Sequence, residues 1–127
     1  MKYIVETQKT IEQAATDLTQ AVADNKFGVL HVYDLKETLK SKGIEFENEC
    51  RVFEICNPVK AKEVMTEDMS MNMALPCRIS VYQEGGKTLI GMIKPKDMLT
   101  ALSDSKKLHA IAEEVENTMY KIINQAV

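Results

Sequence analysis

The chain has 127 residues, 45% of them hydrophobic and 28% charged, which suits one globular domain and leaves too little material for two independent cores. Sixteen Lys and Arg against nineteen Asp and Glu give a formal net charge of −3. With no basic run and only 6% aromatic residues, the chain lacks the electrostatic grip and the stacking platforms of a nucleic-acid binder, and it offers nothing to an anionic membrane.

Residues 1–6 read as a first strand, with Tyr3 and Val5 on one face and Ile4 on the other. Thr10 and Gln13 have the spacing of a capping box. Behind them Ile11, Ala14, Ala15, Leu18, Ala21 and Val22 form the apolar stripe of a helix that ends at Asp24-Asn25. Residues 27–33 (FGVLHVY) are apolar on both faces and predict a central strand covered on both sides. A short helix over 35–42 follows, with Gly43 placed to end it. Residues 44–56 predict a further strand, with Glu45, Glu47 and Glu49 on one solvated face. Asn57-Pro58 is a cap followed by a first-turn proline, so a helix is expected over 58–65 and a Met-rich loop over 66–73.

Residues 75–83 and 87–94 pair as a hairpin about Glu84-Gly85-Gly86. After Pro95 the chain is helical to the end, with Ser103-Asp104-Ser105 starting a long amphipathic helix over 105–127. Its stripe is Leu108, Ile111, Ala112, Val115, Met119, Ile122 and Ile123. The pattern predicts one α+β domain over 1–127, with a mainly antiparallel sheet.

The chemistry-bearing element is Cys56-Asn57-Pro58 set against Pro76-Cys77. A thiol that ends a strand just before a helix cap faces unpaired N–H groups and the positive end of the macrodipole, which favours thiolate. If the strands that hold Cys56 and Cys77 are antiparallel neighbours, the segment between them returns to its origin and the two cysteines meet. A parallel crossover would separate them. The plain alternative is that each thiol fills a small apolar gap, as Cys50 is expected to do. Their spacing matches neither a CxxC pair nor a zinc ribbon.

The two thiols allow three uses. In a redox or thiol-sensing protein Cys56 attacks and Cys77 resolves, with Arg78 nearby but directed away along the strand. In a soft-metal site for Cu(I), Cys56 and Cys77 are joined by Met69, Met71 and Met73, which share one side of an extended segment, while Met65 lies nearby. Against this, clustered methionine is also ordinary apolar filling. In a binding module, a concave sheet beneath the long helix holds a small apolar ligand, with Cys56, Asn57, Pro58, Pro76 and Cys77 at its mouth. His31, on the face of Val29 and Tyr33, and His109, beside Leu108, have no partner His at ligand spacing. No nucleophile elbow, phosphate loop or H-E-x-x-H motif is present, so no cofactor is specified and no hydrolase or transferase machinery is visible. The C-terminal helix suggests a homodimer, paired through its long apolar stripe.

VFEICNP followed by KA (Val52 to Ala61), with ALPCRISVYQEGGKTLIGMIKP (Ala74 to Pro95), resembles the family catalogued as domain of unknown function 302. Phe27-Gly28-Val29, Asp34-Leu35-Lys36, Leu39 and Lys42-Gly43 resemble its opening. The resemblance spans about 27–99, is more Met-rich between the two Cys elements than the family pattern, and leaves the C-terminal helix beyond the family core. It implies a TATA-binding-protein-like α+β architecture, with a curved antiparallel sheet and helices on one side, and no established activity or cofactor. Cys56, Asn57, Pro58, Pro76 and Cys77 match its hallmark positions.

The start MKYIVETQKT has no apolar signal-peptide core, and no segment approaches the roughly 20 apolar residues of a membrane span. Three cysteines in such a chain point to a reducing compartment, with the cytoplasm as the expected location.

Overall fold

In the computed structural model, which describes residues 1–127, the first strand β1 (Lys2–Thr7) leads into helix α1 (Ile11–Asp24). Thr10 Oγ1 accepts from the Gln13 N–H at 3.2 Å and Gln13 Oε1 accepts from the Thr10 N–H at 3.0 Å, closing the capping box. There follow β2 (Gly28–Asp34), α2 (Leu35–Ser41), β3 (Cys50–Cys56), α3 (Pro58–Glu67), a 3-10 helix (Met69–Ala74), β4 (Cys77–Glu84), β5 (Lys87–Ile93), α4 (Pro95–Leu102) and α5 (Lys106–Ala126). The strands form one sheet in the order β1-β5-β4-β3-β2, with every neighbouring pair antiparallel. Gly85 and Gly86, with φ of 59° and 75°, make the β4–β5 turn, a backbone conformation that glycine takes without a side-chain penalty.

Helices α1 and α5 cover one face of the sheet. The principal core lies between them, where Leu18 and Ile122 meet Phe53, Ile55, Ile79, Val81 and Ile90, all at or below 2% exposure. A second core continues along the first half of α5, joining Leu108 and Ile111 to Val64, Met71 and Leu99. The other face of the sheet carries no helix from this main layer. This is the α+β class read from the sequence, an open antiparallel sheet with its main helices on one side and a long C-terminal helix.

Four expectations need correction. The apolar run at 27–33 is not a covered central strand: β2 is an edge strand, with Leu30 62% and Tyr33 41% exposed. Apolar run length reports the β-propensity of such a segment, not what covers it. A register shift between Val29 and His31 also turns His31 to the open face while Val29 packs on the core, so the two do not share a face. Residues 44–49 form no strand, and β3 begins only at Cys50. Glu45, Glu47 and Glu49 therefore lie outside the sheet. Finally, the segment expected as a loop extends α3 to Glu67 and then winds into the 3-10 helix, where Asp68 accepts from the Ser70 N–H at 3.0 Å.

Candidate functional site

The site arises where two of the three inner strands, β4 and β5, separate. Their ladder runs from Glu84 opposite Lys87 to Ser80 opposite Gly91 and stops there. Beyond it, β4 stays with β3, Cys77 lying opposite Ile55, while β5 stays with β1, Ile93 lying opposite Lys2. The Lys94 N–H donates to Met1 O at 2.7 Å and so carries the end of β5 toward β1. Pro76, which precedes β4, has no N–H with which to extend the ladder. Between the diverging ends opens a cavity of ≈ 460 Å³.

Side-chain alternation explains its lining. From the open face come Lys2, Ile4, Val52, Arg78, Ser80, Tyr82 and Ile93. Met92 and Cys77 belong to the helix face and are reached through the gap, as is Met119 of α5. Residues Met73 to Pro76 and, from α4, Pro95 and Met98 close the end. Gly91 lies on the floor. A Cβ there would stand 3.1 Å from Ile4 Cγ1 and 3.2 Å from Tyr3 O, so the bare backbone lets β1 come close and leaves the floor clear.

Cys56 and Cys77 come to the same end of the sheet, because β3 and β4 are antiparallel neighbours. With Asn57 and Pro76 they line a small crevice of ≈ 30 Å³ against α3. Neither forms a disulfide. Pro76 and Cys77 also line the large cavity, whereas Cys56, Asn57 and Pro58 do not. The Cys-Asn-Pro element thus sits behind the cavity rather than at its mouth.

The expected thiolate at Cys56 is not favoured. Asn57 Oδ1 accepts from the Val59 and Lys60 N–H groups at 3.0 and 3.2 Å, taking the donors that would hold an anionic sulfur. Burial pushes the Cys56 thiol up. It pushes Cys77 up to about 11, with neighbouring Cys56 adding to the effect. Both thiols are therefore held protonated at neutral pH. Asn57 and Pro58 act as helix cap and first turn.

The methionines named for a soft-metal set disperse. Met69 is 65% exposed, Met71 is buried in the second core, and Met73 alone lines the cavity. Met92 and Met98, which sequence reasoning passed over, join it there with Met119, which was read only as part of the α5 stripe. His31 instead packs on Tyr33, ring centroids 4.4 Å apart. His109 Nε2 meets Ser103 O at 2.6 Å, tying the α4–α5 corner. Arg78 projects to the open face, Nη2 lying 3.4 Å from Glu54 Oε2. The neighbouring Glu54 carboxylate raises the Tyr33 phenol. Glu54 was not singled out in the sequence, because its partners come from two neighbouring strands.

The stripe of α5, expected to pair with a second copy, is spent inside the molecule. Leu108, Ile122, Ile123 and Ala126 are fully buried, and Ile111, Ala112, Val115 and Met119 nearly so. No helix is long and apolar enough to cross a membrane.

The family model for the domain of unknown function DUF302 matches residues 3–126. The unit therefore includes β1, α1 and α5, rather than the core of about 27–99 expected from the motifs. No curated protein matches the chain. A crystal structure of an uncharacterized conserved DUF302 protein from Bacillus stearothermophilus superposes with a TM-score of 0.93 at 31% identity, covering 99% of this chain and 98% of that one. On the extent of both matches, the chain belongs to the DUF302 family.

Proposed function

We propose that the protein is a binding module for a small, largely apolar molecule held in the gap between β4 and β5. The observation that carries this is the cavity itself. Its ≈ 460 Å³ falls within the range of about 300–1,000 Å³ usual for ligand sites, and 11 of its 17 lining residues are hydrophobic. Its methionine side chains are unbranched and polarizable and adapt to ligand shape. Ser80, Tyr82 and the two cationic side chains provide the few polar contacts that orient a bound molecule.

A thiol-sensing or redox role for Cys56 and Cys77 is the weaker reading, since the surroundings of both thiols favour the unreactive protonated form. A Cu(I) site is weaker still. It would have to deprotonate Cys77 and would lack Met69 and Met71 as ligands.

The test is titration with Nile red, a neutral apolar fluorophore. The wild type is expected to bind it at one site with enhanced emission. Ser80→Phe, on the open face of the sheet, is expected to fill the cavity and abolish binding while the melting transition is retained. Absence of binding to the wild type, or undiminished binding to the folded variant, would refute the proposal.

A further inference from the structure

We infer that the molecule held there is an amphipathic anion: a free carboxylate whose alkyl chain enters the gap and whose head group rests at the mouth between Lys2 and Arg78. This rests on the ligand-binding reading above and adds the chemical class.

Register places the two cations. Lys2 lies opposite Ile93, and Arg78 lies opposite Glu54 on the other side of the gap, all on the open face. Arg78 thus stands on the β4 side of the split and Lys2 on the β5 side, one strand beyond Ile93, and both line the cavity. No carboxylate is among its 17 lining residues, although the whole chain has more acidic than basic groups, nineteen against sixteen.

Two carboxylates flank the lining residues, Glu54 opposite Arg78 in register and Asp97 of α4 between Pro95 and Met98, and both are already engaged. Glu54 lies 3.4 Å from Arg78 Nη2, and Asp97 lies 3.4 Å from the Met1 ammonium. Lys2 takes part in none of the molecule's ion pairs. Arg78 is 64% exposed and keeps donors that Glu54 does not use. Behind this cationic mouth the walls turn apolar, through Ile93 to Met92, Met98 and Met119. A cationic mouth over a deep apolar wall matches an alkyl carboxylate. It repels an alkylammonium and gives an alcohol no charge to pair.

The experiment is competition against Nile red by decanoate, decanol and decyltrimethylammonium below their aggregation limits, with calorimetry of decanoate alone. Decanoate is expected to bind at least about tenfold more tightly than decanol, the scale of one charge-assisted hydrogen bond. The ammonium should bind weakest. The decanoate advantage should shrink in Lys2→Gln and in Arg78→Gln, both solvent-facing changes, and with added salt. If decanol binds as well as decanoate, or neither variant changes the ratio, the head-group assignment fails while the ligand-binding reading stands. If neither Nile red nor any of the three binds, that reading fails too. Co-sedimentation with phosphatidylglycerol vesicles without binding of free decanoate would overturn the assignment to a free molecule.

Discussion

At the scale of single residues, Cys77 shows how burial decides chemistry. Its thiol holds its proton up to about 11, against an ordinary value of 9.0. Between those two pH values the unfolded chain has lost a proton that the folded chain keeps. The contribution of Cys77 to stability is therefore fully present below pH 9 and is lost as pH rises toward 11, by up to about 3 kcal/mol. Urea unfolding at pH 8, 9 and 10 should show a steeper loss for the wild type than for Cys77→Ala, and parallel slopes would exclude a buried thiol. Asn57 is a second case. Removing its two accepted hydrogen bonds in Asn57→Ala should cost about 0.5–2 kcal/mol in chemical unfolding, with Nile red binding unchanged. Loss of binding without loss of stability would make Asn57 a ligand contact instead. Its role as a cap was legible in the sequence, because capping involves only neighbours in the chain. The protonated state of Cys56 was not, because it depends on which oxygen already occupies the α3 N–H groups.

At the scale of elements, local periodicity carries far. The stripes of α1 and α5, the capping box and the Gly85-Gly86 turn all lie where spacing places them. The sequence leaves the return from Cys56 to Cys77 open between antiparallel neighbours and a parallel crossover, and the β3–β4 pairing decides for the first. What was not legible is relative position. β2 has the apolar pattern of an interior strand and lies at the edge. The divergence of β4 from β5 depends on which neighbour each strand end keeps, a long-range choice between β3 and β1. For that reason Met92, Met98 and Met119, spread over three elements, carried no joint signal. Gly91 did carry one. An isolated glycine within an apolar strand marks close backbone approach or a place kept clear, and here it does both.

At the scale of the whole molecule, α5 is the spine. Its 21 residues extend about 31 Å and supply buried side chains to both cores. A chain ending at residue 104 should not fold: it would lose Leu108, Met119, Ile122 and Ile123, where burying each large side chain contributes about 1.5–3 kcal/mol, against a typical total stability of about 5–15 kcal/mol. Far-UV circular dichroism of the truncated chain checks this. A cooperative melt would show that α5 is an appendage. Met119 also links the spine to the cavity floor, so the packing that stabilises the molecule shapes the site as well.

The most direct measurement of whether that cavity binds is an NMR titration of protein labelled at the methionine ε-methyls with decanoate. The methyls of Met73, Met92, Met98 and Met119, which line the gap, should shift together and saturate at one equivalent, while those of Met69 and Met71 stay in place. Unmoved methyls in the gap, or shifts centred on Met69 and Met71, would contradict a ligand site between β4 and β5.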